Sequence, residues 1–165
     1  PIIKNNLISP TTRIVIKAVS GYTGGGKNVK IPVNITPYRN KNGREHQHIP
    51  EIEQELKIPG QIFFYPNIAP WPRGIRGTVS LEISPRAIDI TNIYKQFYQN
   101  EPFVRIKSKI NREDVIGTNF CDISPIVNNG DLIIEFALDN LGKGAAGQAV
   151  QNFNIRYGFP EQLVY

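Results

Sequence analysis

The only two histidines of this chain stand two residues apart, in Glu45-His46-Gln47-His48-Ile49-Pro50-Glu51. In extended backbone, residues i and i+2 share a face, so both imidazoles can serve one site. A zinc centre draws three or four ligands at recurring spacings. Neither a His-x-x-x-His nor a Cys-x-x-Cys pairing occurs here, so no metal is expected. Proton transfer suits the pair better, because imidazole titrates near neutral pH and Glu51 lies one helical turn past His48, where it can orient or tune the ring. The residues alone leave a second reading open, in which both histidines are solvated surface groups.

A second group is glycine-rich: Ser20-Gly21-Tyr22-Thr23-Gly24-Gly25-Gly26-Lys27. Its G-x-x-x-x-G-K spacing is that of a phosphate loop, but Asn28 stands where a magnesium-binding Ser or Thr belongs. The following Val29-Lys30-Ile31-Pro32-Val33 reads as extended chain, not as the helix N-terminus that would hold a phosphate. What remains is a flexible loop bordering a site, or a plain connection between strands. Cys121, the single cysteine, sits inside a predicted strand beside Phe120 and reads as a packing residue. If the chain serves a cysteine enzyme, the nucleophile lies elsewhere. No G-x-G-x-x-G follows a strand, so no dinucleotide-binding domain is encoded here.

The elements that must position these groups follow from periodicity and turn chemistry. Residues 13–19 are predicted as a strand buried on both faces, running straight into the glycine loop. Residues 29–38 carry Pro32 and Pro37 and make at best an edge strand, followed by turn chemistry at Asn40-Lys41-Asn42-Gly43. A short helix spans Ile49–Leu56, with Pro50 in its first turn and Pro59-Gly60 stopping it. Residues 61–68 and 74–83 read as strands joined by the Pro70-Trp71-Pro72-Arg73-Gly74 corner. Asp89 caps an amphipathic helix to residue 99 that turns Ile90, Ile93, Tyr94 and Phe97 to the core. Residues 103–106 form a short strand. Residues 119–127 and 131–138 form a hairpin closed at Asn128-Asn129-Gly130, with Pro125 at an edge or a bulge. A small-residue helix runs from Lys143 to about residue 157, with Ala146, Ala149, Val150 and Phe153 along one face. The sum is an α+β fold, a mixed or antiparallel sheet with helices on one face, with residues 1–138 as its body and 139–165 as a final helix and tail.

Composition removes other classes. The 165 residues are 40% apolar and 20% charged, which excludes a disordered or collagen-like chain. No apolar run approaches the roughly 20 residues of a membrane-spanning helix, and one cysteine with no secretory signal argues for the cytoplasm. The net charge of +5 invites nucleic acid, but the basic residues are scattered among acidic ones, as in Arg44-Glu45 and Arg112-Glu113-Asp114, so none is expected. A first residue of Pro and the absence of Met read as an internal or C-terminal piece of a longer protein.

Five motifs then fall in order: Ser20-Gly-Tyr-Thr-Gly-Gly-Gly-Lys27, His46-Gln-His48-Ile-Pro-Glu51, Pro72-Arg-Gly74, Gly117-Thr-Asn119, and Asp139-Asn-Leu-Gly-Lys-Gly-Ala-Ala-Gly-Gln-Ala-Val-Gln-Asn-Phe-Asn154. The series resembles the C-terminal part of the N-acetyl-gamma-glutamyl-phosphate reductases, in their shorter type, within the aspartate-semialdehyde dehydrogenase-like superfamily. The resemblance covers nearly the whole chain. It implies an NADP-binding Rossmann domain followed by an α+β dimerisation and substrate domain of the glyceraldehyde-3-phosphate dehydrogenase-like kind. A thiolate attacks the acyl phosphate, phosphate leaves, and NADPH reduces the thioester to the semialdehyde. That thiol belongs to an Asn-x-Gly-Cys-Tyr-type segment, which is missing here together with the cofactor domain. The resemblance further implies His48 as the acid–base group, with His46 and Glu51 in support, and Arg73 gripping the substrate carboxylate or phosphate. Ser20, Gly21, Lys143, Gly144 and Asn152 would border the NADP nicotinamide. The final helix would pack on the N-terminal domain, leaving an apolar patch around Ala146, Ala149 and Phe153 in its absence. The chain would assemble as a dimer or tetramer through its sheet. A non-catalytic homodimerisation module is the alternative.

Overall fold

Strand β1, Ile14–Gly21, is flanked on both sides, and the rest of the fold is arranged around it. The computed structural model describes residues 1–25, 30–38, 43–84 and 89–164. Gly26 to Val29 of the glycine stretch and Asn40 to Asn42 of the predicted turn lie outside the described residues. In chain order come β2 (Thr36–Pro37), α1 (Ile49–Leu56), β3 (Ile62–Ala69), β4 (Ile75–Glu82), α2 (Ile90–Phe97), β5 (Val104–Ile106), β6 (Cys121–Asn128), β7 (Asp131–Leu138) and α3 (Gly147–Tyr157). The seven strands form one sheet in the order β2-β3-β1-β4-β7-β6-β5. It is mixed: β1 runs parallel to β3 and antiparallel to β4, and β5 parallel to β6.

Register divides the sheet into two unlike faces. Ile14, Ile62, Leu81 and Leu132 point to one side and are buried there with Ile49 of α1, with Ile90 and Tyr94 of α2, and with Ile2 and Leu7 of the N-terminal segment. Both helices thus cover the same face. On the other face, a short 3-10 turn at Arg112–Val115 seats the fully buried Val115 against Ala137, with Ile110 beside them. Beyond that cover the second face is only half-buried, carrying Val15, Val19, Phe63, Thr78 and Ile133.

Strands β3 and β4 follow each other in sequence but flank β1, so the corner between them must cross the end of β1. Gly21 N–H donates to the Gly74 carbonyl at 2.9 Å, and Tyr22 N–H to that of Trp71 at 3.0 Å. A Cβ on Gly21 would fall 2.5 Å from the Pro72 carbonyl oxygen, which is why glycine stands there. Ser20 and Gly21 are accordingly the last residues of a strand, not the start of a loop as the sequence reading has it.

The hairpin forms as expected, with Asn129 and Gly130 both at positive φ, the requirement of its two-residue turn. Pro125 pairs with Ile134 of β7, while β5 ends opposite Ile123, so its missing N–H is not needed on the other side. Asp89 caps α2, its carboxylate accepting from Asn92 N–H at 3.0 Å. Phe97 corrects the expected core face, being 38% exposed, whereas Tyr94, one turn earlier, is buried as expected. The final helix also differs. Gly142–Ala146 winds as one π turn closed by Gly147 N–H on the Gly142 carbonyl, and α3 then buries Gly147, Gln151 and Asn154. Ala146, Ala149 and Phe153 face outward, and Val150 is half-buried.

Candidate functional site

Asp139 and Asn140 follow directly on β7, and between them they tie together four separate loops. The Asp139 side chain has no exposed surface. Its carboxylate accepts from Arg73 Nε at 2.9 Å on Oδ1 and 2.8 Å on Oδ2, and from the N–H groups of Gly117 (2.5 Å), Leu141 (2.9 Å) and Gly142 (3.2 Å). Burial pushes its pKa up, but Arg73 and the three amides outweigh that and hold it below the ordinary carboxylate value. Asn140 Oδ1 accepts from Gly74 N–H at 2.6 Å, and its Nδ2 donates to Thr23 Oγ1 at 3.0 Å. The Thr23 hydroxyl in turn donates to the Pro72 carbonyl at 2.6 Å. Arg112 closes the corner from outside, donating to the Arg73 carbonyl at 2.5 Å with its guanidinium 4.9 Å from the Trp71 ring centroid. Arg73 is therefore held at Nε and backbone, while its side chain is 39% exposed and its Nη groups have no partner among the described residues.

The histidines sit elsewhere, in the turn that leads into α1. His46 is buried, 4.8 Å ring to ring from both Phe64 and His48. The His48 backbone N–H donates to His46 Nδ1 at 3.2 Å, which makes that nitrogen an acceptor and puts the proton of the neutral ring on Nε2. His48 is the N-cap of α1 and its imidazole is exposed, without a side-chain capping bond. Glu51 lies in the first turn of α1, exposed, with no hydrogen bond among the described residues. The two imidazoles thus touch but are not equivalent: one is packed and fixed, the other open. Phe64 precedes Ile68, the partner of Ser20, by four residues of β3, about 13 Å at 3.3 Å per residue.

Ser20, Gly21 and Gly144 lie together at the Asp139 end of the sheet. Ser20 pairs with Ile75, Ile75 with Leu138, and a Cβ on Gly144 would rest 3.1 Å from Leu138 Cδ1. Lys143 points inward, its ammonium on Gln151 Oε1 at 2.6 Å and 5.6 Å from the Phe103 ring centroid. Asn152 is exposed on α3, bonded to Gln148 at 2.8 Å, away from this group's hydrogen-bond network. Cys121 meets a cationic neighbour that its sequence surroundings do not announce, Lys143. Burial nonetheless pushes the thiol up to about 11, with Lys143 opposing and Asp122 adding, so it remains an inert packing group. No cluster of three or more potential metal ligands occurs among the described residues. Asp139, Asn140, Thr23 and Gly117 fall within the motifs of the sequence, but sequence reasoning gives none of them a role at the site. Beyond those motifs, the local signal is a polar Asp-Asn pair placed abruptly after an apolar strand.

In architecture this is an α+β domain of the semialdehyde dehydrogenase kind. Aspartate semialdehyde dehydrogenase II from Vibrio cholerae superposes with a TM-score of 0.70 over 93% of this chain and 57% of that one, at 15% identity, a likeness of fold. A family model described as semialdehyde dehydrogenase, dimerisation domain, matches residues 1–140, and the chain belongs to that family. Among curated relatives, N-acetyl-gamma-glutamyl-phosphate reductase of Geobacter metallireducens is 41% identical over 99% of this chain and 51% of its own length. The protein of the same name from Buchnera aphidicola subsp. Acyrthosiphon pisum (strain Tuc7) is 38% identical over 98% and 49%. The chain spans about half the length of the curated relatives it matches.

Proposed function

We propose that this chain is the dimerisation and substrate half of a cytoplasmic NADPH-dependent reductase that converts N-acetyl-glutamyl 5-phosphate to N-acetyl-glutamate 5-semialdehyde. One observation carries the reading: the 41% identity to a reductase of that name over 99% of the chain. The geometry supports it. His48 presents an open imidazole, and the buried His46 beneath it accepts the His48 backbone N–H on Nδ1. His48 takes the proton from a thiol supplied by the Asn-x-Gly-Cys-Tyr-type segment that this sequence lacks, and later returns a proton to oxygen. A free thiol near its ordinary pKa of about 8.5 is mostly protonated at neutral pH, so a paired imidazole raises the reactive fraction. Arg73 holds one anionic end of the substrate, since guanidinium pairs with carboxylate or phosphate through two parallel hydrogen bonds.

NADPH supplies the hydride when bound. The residues here fit only its reduced ring: Ser20, Gly21 and Gly144 share one end of the sheet, and Gly144 to Ala146 present an exposed ledge without bulky side chains. Nothing in the sequence resembles a pyrophosphate cradle, so the rest of the dinucleotide belongs to another domain. Lys143, bonded inward to Gln151, supports the ledge instead of facing the cofactor, and Asn152 borders it only from the outer side of α3. The outward-facing Ala146, Ala149 and Phe153 would then meet that other domain. The half-buried sheet face would close against a second copy.

A second reading, homodimerisation without chemistry, draws on that half-covered face. One assay separates the two. The complete protein should oxidise N-acetyl-glutamate 5-semialdehyde in the presence of phosphate and NADP, and His48→Ala should abolish most of that rate. A dimer with no such turnover would overturn the reductase reading.

A further inference from the structure

Arg73 combines two properties that rarely coincide by accident. Its Nε–H is held by a carboxylate with no exposed surface, while both Nη groups are without a partner among the described residues, on a side chain that is 39% exposed. The carboxylate does not depend on the arginine for its own satisfaction, since three backbone amides from two other loops already donate to it. Those amides also disperse its charge, so the guanidinium is anchored more than it is neutralised. An arginine on a free corner would lose rotamer freedom each time it bound an anion; one anchored at Nε has already lost it. Asn140, the next residue, fixes the backbone of the same corner through Gly74 N–H at 2.6 Å, so side chain and main chain are set by one dipeptide.

We propose that Asp139 is the positioning residue that makes Arg73 a pre-oriented oxyanion receptor, with the ligand gripped by the two Nη groups. The carboxylate touches no reacting atom. The shared ligand chemistry is a planar or tetrahedral oxyanion, either the carboxylate of the amino-acid substrate or the phosphate exchanged at its acyl end. The proposal rests on the reductase reading for its substrate, but the receptor itself is a property of this chain.

The test has two arms. In the complete reductase, running from semialdehyde, phosphate and NADP, Asp139→Asn should raise the KM of one oxyanion substrate about tenfold and leave kcat within about threefold. A rise for phosphate assigns the receptor to the phosphoryl group; a rise for the semialdehyde assigns it to the carboxylate. Arg73→Lys should raise the same KM, and the double variant should be no worse than the worse single one, because the two residues act as a unit. Equal falls in kcat and kcat/KM with KM unchanged, or additive effects in the double variant, would show a merely structural role and overturn the proposal. In the 165-residue chain, the Arg73 side-chain NMR signals should shift on titration with inorganic phosphate or N-acetyl-glutamate, and Asp139→Asn should weaken that response about tenfold. Should the complete protein prove inactive as a reductase, this second arm still decides: an unperturbed Arg73 signal with both probes overturns the receptor.

Discussion

The arginine end of the sheet and the histidine turn before α1 are built on opposite principles. At the first, nearly every polar atom is spoken for: Asp139 accepts from four groups and Asn140 bridges two loops, so Arg73 projects from a fixed base. At the second, His48 is exposed, held by its backbone hydrogen bond to His46, by edge contact between the two rings and by the start of a helix. A binding group gains from being locked, because each immobilised degree of freedom is a cost removed from the encounter. A proton carrier gains from access, because it must meet donor and acceptor in turn. Buried partners do the fixing in both regions, His46 in one and Asp139 in the other.

That contrast can be broken or sharpened by experiment. The largest effect should come from His48→Ala, which in the complete enzyme should lower turnover by about a hundredfold or more, whereas Glu51→Ala, at a side chain with no hydrogen bond among the described residues, should cost well under tenfold. Equal losses in the two variants would mean the exposed imidazole is not the proton carrier. Next, Gly21→Ala should destabilise the arginine end by about 1–3 kcal/mol in chemical denaturation, since its methyl would meet the Pro72 backbone. An unchanged midpoint would show that the corner yields where it is described as rigid.

Acid should act selectively on the arginine end. Asp139 has a folded-state pKa below its unfolded value, so its contribution to stability is present above the unfolded value of about 4 and is lost as pH falls through the folded one. Asp139→Asn should therefore flatten the acid limb of the stability curve followed by chemical denaturation. The smallest effect concerns Cys121. Its folded pKa of about 11 lies above the unfolded one, so the thiol contributes stability below about pH 8.5 and loses it as pH rises toward 11. Alkylation at pH 8 should accordingly be slow in the folded chain and fast in denaturant. Rapid native labelling would show that Lys143 governs the thiol more than burial does.

Much of this was legible because it is local. The bounds of α1 follow from Pro50 in its first turn and the break after Leu56, and the β6–β7 hairpin from Asn129-Gly130, since each rests on residues a few positions apart. The misreadings are of the other kind. Phe97 satisfies helical periodicity as well as Tyr94 does, and only the packing of α2 on the sheet decides which is buried. On α3 the outward placing of Ala146, Ala149 and Phe153 agrees with the apolar patch expected there, while the polar inner face of Gln151 and Asn154 went unread, because their partners, Asn119 and the C-terminal carbonyls, are contributed by other segments.

The sequence by itself determined the strands, the caps and turns, the α+β class and the pairing of the histidines, all of which depend on backbone preferences and neighbouring side chains, while the resemblance implied the candidate status of Arg73. Tertiary structure alone decided that β3 and β4 straddle β1, that one histidine is packed and the other open, and that Asp139 reaches across 66 residues to seize Arg73 Nε. Those outcomes depend on which distant segments share a sheet end, and no local spacing records that.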